Sequence, residues 1–256
     1  MGGALLRGWQ ERKINDNIII YDPLARHGDP QFYGTELFNK LGDFIKSAIR
    51  ADTFVMAVKP QIMDDVCLSI IPGVSKKALI ISIAAGQTID SFKQRFPEGQ
   101  PVIRAMPNTP ASIGKGMTVL AASESCSESQ KEKAEKLLSA VGLVEWAGDE
   151  KIMDAVTAIS GSGPAYVFYL AEVLAEAGIR AGLDREMALR LARQTIIGSG
   201  ALAENQKNVD IRELRSDVTS PGGTTEAALE VLMSGKLQEI FDKAVAAAIE
   251  RGHELR

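Results

Sequence analysis

A parallel α/β sheet domain followed by an all-α domain is the architecture this sequence leads us to expect. Short runs that are apolar on both faces, among them 53–58 (TFVMAV) and 78–84 (ALIISIA), alternate with helical patterns as far as Gly148. Strands of that kind belong to sheets covered by helices on both sides. From Lys151 onward strand signal all but vanishes and alanine-rich helical stretches take over. The division therefore falls near residue 150.

Taken in order, residues 2–12 predict a helix, with Ala4, Leu5, Gly8 and Trp9 spaced for one face. Residues 17–21 (NIIIY) predict a short buried strand closed by Asp22 and Pro23, and residues 27–46 a polar loop leading into a short helix. A second strand over 53–58 ends at Lys59 and Pro60. Helix follows over 61–71, then a strand over 78–84 closed by Gly86. Thr88 opens another helix, and 102–105 (VIRA) is a fourth strand; 117–122 and 144–146 read as further strands around a helix over 127–141. Beyond Gly148 the helical stretches are 151–159, 164–177, 184–204, 225–233 and 236–252. Pro164 suits a first helical turn and Asp184 an N-cap. The small-faced helices make a thin core, so pairing with a second copy is expected.

Composition removes several functions. Of 256 residues, 24% are charged and 45% hydrophobic, with net charge -4 and pI near 5.4, so no basic footprint argues for nucleic acid. Two distant cysteines, Cys67 and Cys126, give neither a disulfide framework nor a CxxC metal site. With His27 and His253 the only histidines, a histidine metal site or a Ser-His-Asp triad is not expected. No apolar run approaches the ~18 residues that span a bilayer, and no basic-then-apolar leader opens the chain. The expectation is a cytoplasmic, metal-free protein.

Two stretches suggest chemistry. Residues 217–225 (DVTSPGGTT) set two glycines, a proline and hydroxyl side chains before a helical run. A helix start leaves N–H groups unpartnered and carries positive partial charge, so such a turn suits a small carboxylate; an ordinary N-cap has the same composition. At the other end, Met1, Gly2, Gly3 and Ala4 look like the tail of a G-x-G-x-x-G turn entering its helix, and Asp22 stands where the acidic residue after the second strand belongs. The strand and glycines that should come first are missing. We therefore expect a truncated start, Met1 being an internal methionine of the motif, with weakened cofactor binding and a destabilised sheet.

Three further stretches, AVKPQ at 57–61, IRAMPNTPA at 103–111 and SGSGPAY at 160–166, join SPGGTT at 220–225. Together, in this order and spacing, they closely resemble pyrroline-5-carboxylate reductase, from Gly2 to about Gly252. The resemblance implies reduction of 1-pyrroline-5-carboxylate to proline by NAD(P)H, the last step of proline biosynthesis. It implies a Rossmann-like dinucleotide-binding domain over 1–150 and a helical dimerisation and substrate-binding domain over 151–256. It also implies a homodimer, with rings of dimers beyond it. Residues 24–46 match the family poorly, which leaves the adenosine end of the cofactor site open.

The expected cofactor contacts are Gly2, Asp22, Val58, Lys59, Pro60, Ala84, Ala85, Asn108 and Asp217. Val58, Lys59 and Pro60 end a strand at the carboxyl edge, where ligands of such sheets lie; Lys59 would otherwise be a solvated charge. Ala84, Ala85 and Gly86 are small enough for a flat ring to approach. The rigid loop 106–110 would shape the nicotinamide side, with Asn108 offering hydrogen bonds or serving only its own turn. A carboxylate at Asp22 accepts from a ribose 2′-OH and repels a 2′-phosphate, which favours NAD; Arg26 offsets that, and NADP and NAD stay open. By resemblance Asp217 lies near the nicotinamide amide, although a turn or cap role explains it equally.

By the same resemblance Ser220, Gly223 and Thr224 bind the substrate carboxylate, and Thr225 hydrogen-bonds the imine nitrogen, with a helix N-cap as its alternative role. Reduction of a ketone creates an alkoxide that must be protonated, yet residues 160–177 contain no lysine. An imine arrives able to carry its own proton, so an imine substrate is favoured over a β-hydroxy acid. The alternatives are a reductase of another small cyclic imine and a catalytically impaired, truncated homologue that keeps only its dimer.

Overall fold

The computed structural model describes residues 1–14 and 17–254 and divides into two compact units. The first comprises Met1–Gly161 and the stretch from Ala248 onward; the second is Ser162–Ala247.

The first unit begins with helix α1 (Gly2–Glu11), followed by strand β1 (Ile19–Tyr21), strand β2 (Glu36–Phe38), α2 (Leu41–Ala48) and β3 (Thr53–Met56). Helix α3 (Met63–Ile70), β4 (Leu79–Ser82), α4 (Ile89–Arg95) and β5 (Val102–Met106) continue the alternation. Strand β6 (Gly116–Ala122), α5 (Glu128–Leu138), β7 (Gly142–Trp146) and a short α6 (Met153–Val156) complete it. Five strands form one sheet in the order β3-β4-β5-β6-β7, and β1 and β2 form a separate parallel pair. All pairings in the larger sheet are parallel except β5 with β6. The parallel α/β sheet expected from sequence is thus present, with one antiparallel neighbour, because residues 107–115 are too few for a crossover helix and the chain must turn straight back.

Strand β4 is buried along its whole length, and its side chains alternate between two cores. Ile80 joins Phe44, Phe54, Met63 and Phe92 on the face covered by α2, α3 and α4. Leu79 and Ile81 join Leu5, Ile103, Leu137 and Leu138 on the face covered by α1 and α5. This three-layer arrangement is what doubly apolar strands require. Helix α1 is tied to α5 by the Trp9 indole N–H, which donates to the Leu137 carbonyl at 2.8 Å.

Strand β2 falls in the stretch expected to be an irregular loop. Three residues, ELF, carry no readable period, and the strand exists because Ile19, Ile20 and Tyr21 of β1 pair with it. After α6 the chain makes one π-helical turn, Thr157–Gly161, within a stretch expected to be regular helix.

The second unit holds α7 (Gly163–Arg180), α8 (Arg185–Asn205), α9 (Ile211–Asp217), α10 (Thr224–Leu232) and most of α11 (Lys236–Glu254). Pro164 lies in the first turn of α7. Asp184 caps α8 by accepting the N–H groups of Glu186 and Met187. Helix α9 was not expected; its polar sequence hides it, although Asp210 caps it by accepting the Arg212 N–H at 2.8 Å. Among the described residues no helix is long and apolar enough to cross a membrane, and no cluster of three acidic, histidine or cysteine side chains could hold a metal.

Candidate functional site

The expected site residues fall into two sets, one in each unit. In the first unit β3, β4 and β5 run parallel, so the segments leaving their carboxyl ends share one edge of the sheet. Val58, Lys59 and Pro60 leave β3; Ala84 and Ala85 leave β4 and turn at Gly86, whose φ is +76°. Asn108 leaves β5.

The start of α1 meets this edge. A Cβ on Gly2 would lie 3.1 Å from the Cβ of Ala57, so helix and post-β3 segment approach as closely as a glycine allows. Met1, at the N-cap, makes no side-chain capping bond. The first N–H groups of a helix have no partner within it. Beside this helix start a cleft of about 840 Å³ is lined by Gly2, Gly3, Asp22, Ala57 and Val58 together with apolar side chains such as Leu5, Ile19 and Phe54. The structure thus brings Gly2, Asp22 and Val58 together around one cavity. Lys59, Pro60, Ala84, Ala85 and Asn108 lie on the same sheet edge without lining that cavity.

Asp22 follows β1. Its Oδ1 accepts the Leu24 N–H at 2.9 Å, while Asn39 donates to the carbonyls of Asp22 and Ala25 at 2.7 and 2.9 Å. The turn is fixed, and one carboxylate oxygen remains to receive a hydroxyl. Asn39 was not singled out from sequence, and nothing local marks it. Lys59 is exposed and forms no ion pair among the described residues. The N–H groups at a glycine-rich helix start and a turn-held carboxylate are the kinds of donor and acceptor that a dinucleotide uses, and Lys59 lies on the same sheet edge outside the cleft.

Asn108 is spent on the protein itself. Its Nδ2 donates to the Ser160 carbonyl at 3.1 Å and its Oδ1 accepts the Met117 N–H at 2.9 Å. One end of the amide holds the loop after β5 against the π-helical turn, and the other holds it against the start of β6. At Gly161 a Cβ would collide with the Met106 methyl, 2.7 Å away. Two of the sequence motifs, IRAMPNTPA and SGSGPAY, meet in this contact. Nearby, Arg104 of β5 is only 3% exposed and pairs with Glu150 at 3.1 Å and Asp154 at 3.5 Å. Asp154 also receives His253 Nε2 at 2.9 Å. Burial pushes the Cys67 thiol up to about 11, which leaves it a neutral core side chain.

In the second unit Asp217 is the last residue of α9. Thr219 continues from it, its N–H donating to the Ser216 carbonyl at 2.9 Å and its hydroxyl to the Arg215 carbonyl at 2.7 Å. Ser220 to Gly223 then form a tight turn closed by the Gly223 N–H on the Ser220 carbonyl at 2.9 Å. Pro221 sets its first central position, and Gly222, with φ +71°, its second, the type II arrangement that demands glycine. A Cβ on Gly223 would lie 2.9 Å from the Ser220 carbonyl oxygen, so this position too is restricted.

Gly223 is the N-cap of α10 and has no side chain to close the helix start. The N–H groups of Thr224, Thr225 and Glu226 are therefore first-turn donors, and Ser220, Thr224 and Thr225 add hydroxyl side chains to the same turn and helix start. The set can hold a carboxylate by backbone and hydroxyl donors together. The structure brings Ser220, Gly223, Thr224 and Thr225 into one turn. It also reveals Glu226, whose Oε2 accepts the Gly222 N–H at 2.6 Å. The signal in sequence was a glutamate at the third helical position, as in a capping box.

Comparison with known proteins bears on the chain as a whole. A family model described as pyrroline-5-carboxylate reductase dimerisation matches residues 150–255. A pyrroline-5-carboxylate reductase of Pseudomonas aeruginosa is 44% identical over 205 residues, covering 80% of this chain and 75% of its own. The structure of the Coxiella burnetii pyrroline-5-carboxylate reductase superposes with a TM-score of 0.91 at 37% identity, over 98% of this chain and 93% of that one. The Plasmodium falciparum pyrroline carboxylate reductase with NADP bound gives 0.81 at 30% identity, over 100% and 94%.

Proposed function

This chain belongs to the pyrroline-5-carboxylate reductase family, and on that premise we propose how its residues carry the reaction. It reduces 1-pyrroline-5-carboxylate to L-proline with NAD(P)H. The cofactor supplies the hydride when bound, and the protein supplies orientation, charge and the proton's surroundings.

Gly2 and the start of α1 receive the phosphates, and Asp22 holds the adenosine ribose. Val58, Lys59, Pro60, Ala84 and Ala85 border the ligand along the sheet edge. Asn108 keeps its loop in shape through its bonds to Ser160 and Met117. In the helical unit, Ser220 and Thr224 take the substrate carboxylate at the helix start that Gly223, as its N-cap, leaves open, Thr225 offers its hydroxyl to the imine nitrogen, and Asp217 stands at the nicotinamide end. The hydride goes to the imine carbon, and the nitrogen keeps its proton and becomes the amine of proline. No strong acid is needed at that atom, so a neutral hydroxyl is enough. The single observation that carries this reading is the turn 220–225, an uncapped helix start ringed by hydroxyls.

We assign residues 1–150 to the dinucleotide and residues 151–256 to the substrate and to dimerisation. The apolar side chains that α7 and α8 leave exposed support a homodimer, and rings of dimers are an extension of the same reading. A cytoplasmic location fits a chain of this composition.

The test is formation of proline from pyrroline-5-carboxylate by the purified chain, with kcat/KM measured for NADPH and NADH. Thr225→Ala is expected to lower kcat about tenfold or more while NADPH binding is unchanged. An unchanged kcat removes Thr225 from the mechanism.

A further inference from the structure

Among the described residues, the carboxyl side chain of Glu226 is bonded to the turn that the proposed function gives to the substrate carboxylate. It lies at the third position of α10 and turns back so that Oε2 accepts the Gly222 N–H at 2.6 Å. A glutamate there is an ordinary helix-start device when it reaches the N-cap residue. Here it reaches one residue further, past Gly223, to the residue whose left-handed φ of +71° gives the turn its shape.

That choice has consequences for the donors around it. The Gly223 N–H is already committed to the Ser220 carbonyl at 2.9 Å. With the Gly222 N–H held by Glu226, both glycine donors of the turn are occupied from within the protein. The donors left for an anion are the N–H groups of Thr224, Thr225 and Glu226 and the neighbouring hydroxyls. Without the Glu226 contact, Gly222 would be a hinge with a free N–H and wide backbone freedom. A bound carboxylate would then have to order the turn as well as bind it.

We propose that Glu226 is a positioning residue: its carboxylate locks the Gly222 peptide, so that the carboxylate-binding turn is set before substrate arrives. The inference rests on the reading of 220–225 as the carboxylate site. It concerns the substrate carboxylate, because the bond of the Glu226 side chain goes to the Gly222 N–H of the turn.

The experiment uses the whole chain in three forms, wild type, Glu226→Gln and Glu226→Ala, with two readouts. The first is amide hydrogen exchange at Gly222, which needs no activity. The second is L-proline binding by calorimetry, since the product carries the same carboxylate. Glu226→Ala is expected to speed exchange at Gly222 and to weaken proline binding about tenfold, the scale of a lost charge-assisted hydrogen bond. Glu226→Gln, which keeps an acceptor oxygen, is expected to recover most of both. NADPH binding stays constant throughout, which a general loss of structure would not allow.

Fast exchange at Gly222 in the wild type overturns the proposal. So does undiminished proline binding by a Glu226→Ala chain whose Gly222 has become unprotected. If the wild type shows a protected Gly222 and no proline binding, the reading of 220–225 as a carboxylate site fails with it, a result separable from failure of the Glu226 contact.

Discussion

The two units answer the same problem, where to put apolar side chains, in opposite ways. In the α/β unit two cores lie on either face of one sheet, and side chains such as Phe92, Leu79 and Ile103 are fully buried. Among the described residues of the helical unit only Ala175, Ala188 and Ala192 are buried, while Phe168 and Tyr169 of α7 are 64% and 66% exposed and Ile240 of α11 is 62% exposed. A large apolar side chain gains about 1.5–3 kcal/mol on full burial. The helical unit leaves that gain unused as a single chain, whereas the α/β unit has already taken it. One unit buries its large apolar side chains within itself; the other leaves them for the second copy that the proposed function assigns to it.

The sharpest way to break this contrast is Phe168→Glu. A charge buried at a two-fold interface acts twice, and each loss at a central aromatic is on the order of 2–4 kcal/mol. Sedimentation velocity over a dilution series should show a dimer for the wild type and a monomer for the variant at the same concentration. A variant that remains dimeric shows that α7 does not carry the interface, and the contrast between the units loses its explanation.

Arg104→Met probes the other side. The variant leaves Glu150 and Asp154 without their guanidinium partner in a site that is almost closed to water. Breaking one member of a buried ion pair costs about 3–5 kcal/mol. Glu150 also accepts the Ile89 N–H at 2.9 Å, so the loss reaches the start of α4. Urea unfolding followed separately for the two units should show the α/β transition moving to lower denaturant, with dimerisation retained. Loss of both transitions together would mean the units do not hold their stability independently.

How much of this could be read beforehand follows from the same contrast. Doubly apolar strands announce a buried parallel sheet whatever surrounds them, which is why β3, β4 and β5 were legible. Strand β6 was legible over 117–122, but its antiparallel direction was not, and the tiny β2 was not read at all, because direction and pairing depend on connection length and on a neighbour rather than on local pattern. Helix α9 was missed for another reason: seven mostly polar residues, IRELRSD, carry too little apolar pattern to mark a helix. In the site, glycine, proline and hydroxyl composition marked 220–225 from sequence. The commitment of Asn108 to Ser160 and of Glu226 to Gly222 could not be read, since each is decided by where a side chain turns. Asp22 was legible as an acid after a strand, whereas the turn that Asn39 holds for it was not.

The smallest expected effect compares the two units through a single ion pair in each. In the α/β unit Lys133 of α5 reaches Asp52, just before β3, at 2.7 Å. The hydrogen bond from Lys133 is the main reason the Asp52 carboxyl is held below its ordinary range. In the helical unit Arg212 pairs with Asp210 at 2.8 Å, and that bond likewise lowers the Asp210 carboxyl. The first pair joins a helix to the edge of a sheet across much sequence, so its bond exists only when the unit is folded. The second joins residues two apart and can form in any chain that keeps this local turn. A carboxyl whose folded pKa lies below its unfolded value adds stability above the unfolded value and loses it as pH falls through the folded one. Asp52 is largely exposed, which limits the pair to about 0.5 kcal/mol at neutral pH. Lys133→Met should therefore lower stability slightly at pH 7, with the gap to wild type closing as the solution is taken below about pH 4, the ordinary range of an aspartate. Arg212→Met should leave the stability of the helical unit unchanged at either pH. A gap for Lys133→Met that persists at low pH would assign the effect to the lysine's apolar stem and not to its charge.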